Sequence, residues 1–236
     1  SMSEPDKSNH LWKYTPWRRI HPTGEITEIP ELASATLSIS MMDGTEVPPG
    51  VSLVRGNGED LDLSMDNALT NSFLHAMSNS SNWLLIVESG FRFESPIILD
   101  VQTGVVDSVA HISMEIGEMA DFELVTRVSG KSDWFGLLRT GNIGSGTILN
   151  DVLIGLQENG TFLRSDSLKI GRDAQVRAGT VSSGSERTKS DLRYKLEERG
   201  GGIKVIVSIL SEESMHLDHH IEIHHEAPDT YSRLSW

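Results

Sequence analysis

The sequence predicts an all-β protein: a parallel β-solenoid (β-helix) core behind a short N-terminal aromatic and helical segment. Two observations predict it. Glycines recur at Gly90, Gly117, Gly144 and Gly171, 27 residues apart each time, and the text around them repeats. Met114-Glu115-Ile116-Gly117-Glu118-Met119-Ala120-Asp121-Phe122 is echoed by Leu168-Lys169-Ile170-Gly171-Arg172-Asp173-Ala174-Gln175-Val176, and Asn142-Ile143-Gly144-Ser145-Gly146-Thr147-Ile148 is a third copy. The next beat slips, to Gly200-Gly201-Gly202. A fixed period of this length, filled with strand-like runs, marks coils that bury apolar residues against the coils above and below. A corner glycine supplies the tight bend or positive φ that such a rung needs.

The elements follow in order. Residues 1–10 read as a tag remnant, Ser1-Met2, and a polar mobile tail. Residues 11–82 form an N-terminal segment that opens on Leu11-Trp12-Lys13-Tyr14-Thr15-Pro16-Trp17. So dense an aromatic cluster is either a hydrophobic lid anchored on the core, the favoured reading, or a partner-docking patch. Pro22, Gly24, Pro30 and Pro48-Pro49-Gly50 then punctuate short extended pieces such as Ala35–Ile39. One helix is expected, capped by Asp66, with Leu69, Phe73, Ala76 and Met77 on one face and Ser78-Asn79-Ser80-Ser81-Asn82 ending it. His75 is expected on its partly exposed side. Residues 83–236 carry the solenoid.

Composition narrows the function. Twenty Lys plus Arg against 34 Asp plus Glu leave a formal charge of −14, which disfavours unaided nucleic-acid binding and favours basic partners. The longest apolar run, Trp83-Leu84-Leu85-Ile86-Val87, falls far short of the roughly eighteen residues that cross a bilayer. No charged start leads into an apolar stretch, so the expected location is the cytoplasm, without membrane contact. The absence of cysteine excludes disulfides, a thiolate nucleophile and cysteine ligation of an iron–sulfur cluster by this chain alone.

Five of the nine histidines fall within residues 216–225. Read as a strand, the segment places Leu217, Ile221 and Ile223 with His219 and His225 on one face, and His216, Asp218, His220, Glu222 and His224 on the other. The second row is wholly polar and expected to be solvated. His216, Asp218, His220 and His224, with Glu222 as a further donor, could hold zinc or iron; equally, the row is a polar strand face titrating near neutrality. No HExxH or CxxC spacing decides between them.

Catalytic signatures are missing. No Gly-x-Ser-x-Gly elbow occurs, and Gly144-Ser145-Gly146 and Ser183-Gly184-Ser185 read as turns of the repeat. Adjacent carboxylates such as Glu197-Glu198 point to opposite sides of a strand. The glycine clusters lack both the dinucleotide spacing and the Walker lysine.

Four stretches together resemble the SufB/SufD proteins of the SUF iron–sulfur cluster assembly system. Trp12-Lys13-Tyr14-Thr15-Pro16 resembles the Trp-basic-Tyr-Thr motif near the start of SufD-type chains. Asn67-Ala68-Leu69 through Leu85-Ile86-Val87-Glu88-Ser89-Gly90 to Ser95-Pro96-Ile97 is similar to the family's helix, strand and entry into the β-helix. Ser190-Asp191-Leu192 to Leu196 resembles its Arg/Ser-x-Asp-Leu strand. His216-x-Asp218, His225-Glu226-Ala227-Pro228 and Thr230-x-Ser232-Arg233 resemble its closing pattern. Trp12, Tyr14, Thr15, His216, Asp218, His225, Pro228 and Ser232 thus carry the family motifs.

The resemblance implies a right-handed parallel β-helix and a non-enzymatic scaffold subunit that pairs with a SufB-like chain and is bound by a SufC-like ATPase. Trp12 with Tyr14, and the lack of cysteine, resemble SufD more than SufB. Family members continue further, with a SufC-recruiting helical segment, so the chain is expected to be shortened or a naturally short relative. The family's downstream cysteine and histidine positions have no counterparts, so no cofactor is expected in this chain alone and a cluster only together with a SufB-like partner. His219, His220 and His224 exceed the pattern and keep the alternative open: a stand-alone zinc- or iron-binding β-helix protein. A carbohydrate-active solenoid enzyme would need convergent carboxylates on one face. An uncovered last coil exposes unpaired strand groups, so a homodimer through the sheet edge, or a cap over it, is also expected.

Overall fold

The computed structural model describes residues 12–25, 27–56, 68–78, 81–210 and 214–236. The expected tail and the capping Asp66 lie outside them. After α1 (Trp17–Ile20) and β1 (Ala33–Ser34), two sheets run the length of the molecule. The first stacks β3 (Val51–Arg55), β4 (Asn82–Val87), β6 (Ser108–Ile116), β8 (Trp134–Ile143), β10 (Thr161–Ile170), β12 (Arg187–Leu196) and β14 (His216–His225), with β1 beside β6. The second stacks β2 (Thr36–Met41), β5 (Ile97–Gln102), β7 (Asp121–Gly130), β9 (Ile148–Gln157), β11 (Gln175–Ser182), β13 (Gly202–Ile209) and β15 (Tyr231–Ser235). From β4 onward each strand pairs in parallel with the strand two further along the chain. The result is the expected parallel β-solenoid, of about six coils. At its N-terminal end β2 and β3 pair antiparallel with β5 and β4 and occupy the first coil's edges.

Inward positions stack like on like, which is why the sequence repeats. Phe122, Leu149, Val176 and Ile203 occupy one register column and are all buried. Each such side chain contributes roughly 1.5–3 kcal/mol by leaving water, and the same column on the next coil excludes water from both.

The corner glycines occupy two different columns. Gly117, Gly144 and Gly171 lie where one coil touches the next. A Cβ on Gly117 would sit 2.3 Å from the Ser89 nitrogen, one on Gly144 2.6 Å from the Glu118 nitrogen, and one on Gly171 2.9 Å from the Ile143 oxygen. Gly90 belongs instead to a column two residues further on, where the chain turns through positive φ: Gly90 (74°), Met119 (56°), Gly146 (68°), Asp173 (54°), Gly200 (75°) and Asp229 (58°). The expectation that all four glycines share one corner role is corrected accordingly. Gly90 and Gly117 fall 27 residues apart because the coil joining β4 to β6 is two residues longer, pairing Asn82 with His111.

The outer face of the first sheet is covered. Helix α2 (Ala68–Met77) lays Phe73, Leu74 and Met77 over Val109, Trp134, Leu138 and Leu163, with Trp12, Trp17 and Ile20 completing the cluster. Leu74, rather than the expected Ala76, joins the buried face. The Trp134 indole N–H donates to the Ile20 carbonyl at 2.6 Å. Trp12 and Trp17 are therefore the anchored lid, whereas Tyr14 is 63% exposed. Beneath this cover β12 is buried on both faces.

Candidate functional site

The family-motif residues from the two ends of the sequence meet on the last coil. Thr15 donates its hydroxyl to the Asp218 carboxylate and lies 3.0 Å from His216 Nε2. Behind them Lys189, fully buried, places Nζ 3.1 Å from Asp191 and 3.4 Å from Asp218, and 4.9 Å over the Trp12 ring. Thr70 of α2 donates to the other Asp191 oxygen at 2.8 Å. A cation among two carboxylates and an aromatic face is a satisfied buried charge, so the lid is tied to β12 and β14 by charge as well as by apolar packing. Beside this junction Tyr14, Ile209, His216, Leu217, Asp218, His219 and Trp236 line an open cleft of about 310 Å³.

The strand reading of residues 216–225 holds in its alternation, and β14 is formed as one strand. Ile221 and Ile223 pack against the core. The polar row is half-buried through its middle rather than solvated, because each acid is held by a cation from β12. Asp218 faces Lys189, and Glu222 accepts from Arg193 at 2.6 Å and lies 2.6 Å from His224 Nε2, with His220 at 4.0 Å. Burial raises the Glu222 carboxyl, but Arg193 and His224 outweigh it and leave it below its ordinary value. Among the described residues, no group of three or more His, Cys, Asp or Glu is arranged to hold a metal ion. His216, Asp218, His220 and His224 thus share a face, yet the structure pairs them with Thr15, Lys189 and Glu222.

His225 explains the end of the closing motif. Its two ring nitrogens lie 2.8 Å from the Thr230 hydroxyl and 2.9 Å from the Ser232 hydroxyl, and Thr230 donates to the Ala227 carbonyl at 3.0 Å. Pro228 precedes Asp229, the left-handed turn residue, which pairs with Arg199 of the preceding coil at 2.6 Å. These residues shape the last corner.

The interior holds a charged layer that sequence reasoning missed. Arg139 donates to Asp151 through two nitrogens at 2.9 Å and to Asp166 at 3.1 Å through Nε, and Arg164 donates to Asp166 at 2.6 Å and to Thr180 at 3.0 Å. All four charged groups are buried. Burial raises the Asp166 carboxyl, but the two guanidiniums more than compensate and hold it well below the usual carboxylate range. Tyr194 stands beside the layer with its hydroxyl unpartnered, and burial pushes its phenol up. His219 points inward from β14 with neither ring nitrogen hydrogen-bonded, and burial, then Arg164, pushes it down to about 4. A sequence signal existed: Arg164 and Asp166 break the inward apolar alternation between Phe162 and Leu168.

The geometry limits the chemistry. In an acyl-transfer triad the carboxylate orients the base and the base faces the nucleophile; here Asp218 bonds Thr15, and not the far nitrogen of His216. The junction fastens Thr15 to β14. No helix among the described residues is long and apolar enough to cross a membrane.

One comparison with known proteins matches. The family model for "SUF system FeS cluster assembly, SufBD core domain" aligns with residues 104–236. No curated protein and no solved structure matches the chain.

Proposed function

The chain belongs to the SufBD core family of the SUF iron–sulfur cluster assembly system, and from that premise we propose that it is a non-enzymatic, SufD-like scaffold subunit that acts in the cytoplasm with a SufB-like chain and a SufC-like ATPase. The observation that carries this reading is the match of the SufBD core model to residues 104–236, the stretch in which the parallel coils stack. β14 and β15 each have one edge without a strand partner among the described residues, and the family motifs gather there. An unpaired edge recruits another strand, and the Thr15 junction stiffens the strand that offers it. In the absence of a SufB-like chain, the same edge would serve a homodimer.

Without cysteine, a cluster would be held only in company with a SufB-like partner that supplies thiolates. The test is a pull-down of the native product from its own cell extract, with mass spectrometry of partners and elemental analysis. Recovery of a SufC-like ATPase and a SufB-like chain supports the reading. Recovery of the protein alone with near-stoichiometric zinc or iron, lost in His220→Ala/His224→Ala, would replace it with a separate metal-binding use of the fold. Sedimentation of the purified chain at rising concentration checks the homodimer; a concentration-independent monomer would count against it.

A further inference from the structure

Ion pairs on the solenoid surface follow a rule. Arg127 meets Asp100, Lys131 meets Glu158, Lys169 meets Glu197, Arg172 meets Glu198 and Arg199 meets Asp229, each pair joining opposite charges on neighbouring coils. One column breaks it. Arg177, Lys204 and Arg233 occupy the same register position on β11, β13 and β15. Their neighbours Val176, Ala178, Ile203 and Val205 are buried, so alternation turns all three cations outward. Arg177 and Arg233 are exposed and Lys204 is half-buried. None of the three makes an ion pair or a side-chain hydrogen bond among the described residues.

Strands lie about 4.8 Å apart, and like charges in direct register are unfavourable. The flanks give no relief. Two residues before the cations stand Gln175, Gly202 and Tyr231, and two after stand Gly179, Ile206 and Ser235, all uncharged. Tyr231 reaches across Gly202 to bond the Gln175 side chain, and a Cβ on Gly202 would lie 2.2 Å from the Tyr231 ring. Tyr231 and Ile206 remain 54% and 43% exposed. A chain of net charge −14 thus concentrates three unneutralised cations in one line with uncharged borders. Such a local conflict marks a candidate functional position.

We propose that this column docks an acidic amphipathic α-helix of a partner protein, laid across the strands. The cations span about 10 Å from first to third. Carboxylates at i, i+3 or i+4, and i+7 of a helix cover about 10.5 Å at about 1.5 Å per residue, whereas three same-face residues of an extended chain cover about 14 Å. Tyr231 and Ile206 meet the apolar flank of such a helix. Nucleic acid fits poorly, because three cations do not offset the repulsion of its dense phosphates by the rest of the surface. The inference is independent of the SUF assignment, since it uses a face of the second sheet rather than its edge.

The test uses the full chain and a fluorescein-labelled helical peptide of about seventeen residues with Glu at i, i+4 and i+7, beside its Gln counterpart, followed by fluorescence anisotropy. The Glu peptide is expected to bind about tenfold or more tightly than the Gln peptide, and to weaken as salt rises from about 50 to about 300 mM. Lys204→Glu is expected to abolish binding while raising the melting temperature, because it would pair with Arg177 and Arg233; the melt shows that lost binding is not lost folding. Lys131→Glu, outside the column and paired with Glu158 in the parent, should bind as the parent does. Equal binding of the two peptides, retained binding by Lys204→Glu, or binding of inorganic tripolyphosphate with none of the Glu peptide would overturn the proposal.

Discussion

Thr15 and Asp218 stand 203 positions apart in the chain and are joined by one hydrogen bond, the threonine hydroxyl donating to the carboxylate. The bond connects the segment that opens the described structure to β14, so the lid is held at two places on the first sheet: over Val109 of β6 and Trp134 of β8 by apolar packing, and at β14 by charge and hydrogen bonds. The lid therefore reports on the integrity of the terminal coil. β14 thus presents an outward row that is already braced.

Thr15→Val keeps the shape and removes the hydroxyl. Thr15 is buried, and a hydrogen bond to a charged group contributes about 1.5–3 kcal/mol. Urea unfolding followed by tryptophan fluorescence is expected to show a loss within that range. A change below about 0.5 kcal/mol would mean that the lid is held by Trp12 and Trp17 alone.

The interior charges allow a contrast between breaking and replacing. Asp166→Ala leaves Arg164 without a carboxylate and Arg139 with only Asp151, and is expected to destabilise by about 3–5 kcal/mol. Exchanging Arg139, Arg164, Asp151 and Asp166 together for apolar residues of similar volume is expected to recover most of that loss, because no charge is then left buried and unpaired. Thermal melts of the two variants decide it; if the fourfold exchange is the worse of the two, the layer is a net stabilising feature of the core.

Two kinds of corner glycine predict two kinds of mutant. Ala at Gly144 would push Cβ to 2.6 Å from backbone atoms of the coil below, so two coils must separate, and a loss of about 2–4 kcal/mol is expected. Gly90→Ala meets nothing within 4 Å and pays only for its φ of 74°, about 1–2 kcal/mol. Chemical denaturation of both variants should preserve that order, and the reverse order would show that turn strain outweighs coil contact.

How much of this was legible in the sequence depends on whether a feature repeats. The coils were, since a parallel in-register stack puts the same demand on every rung, and Ile116-Gly117, Ile143-Gly144 and Ile170-Gly171 answer it alike. The distinct role of Gly90 was not, because a coil two residues longer shifts its phase without disturbing the apparent count. The alternation within β14 was legible from period two, but its half-burial was not: Lys189 and Arg193 lie on another strand, 29 residues back in register. Nothing periodic announces that Thr15 reaches Asp218. The motif residues could be recognised as a set, whereas the reason they form one, contact across the whole chain, exists only in three dimensions.

His111 and His219 predict a loss of stability on acidification. The His111 ring is 1% exposed, and its nitrogens lie 3.0 Å from Asn82 Oδ1 and 2.8 Å from the Thr140 hydroxyl. The amide oxygen accepts, so Nδ1 carries the proton and Nε2 accepts from Thr140, an arrangement that uses the neutral ring. Burial, then the neighbouring His75, pushes His111 down from 6.5 to about 4. The unfolded chain therefore binds the proton first as pH falls, and stability present above 6.5 is lost progressively until about 4. A displacement of this size corresponds to about 3 kcal/mol at its limit. His219 is pushed down to about 4 as well, so the two losses fall in the same window, above the range in which Asp166 gives up its own contribution. Urea unfolding at a series of pH values is expected to show stability falling between pH 6.5 and 4. His219→Leu, which removes a ring with no hydrogen bonds, should flatten that slope without lowering stability at neutral pH, whereas His111→Gln should flatten it and lower the neutral-pH value, because its two hydrogen bonds are only partly replaced. A slope unchanged in both variants would place the acid sensitivity elsewhere.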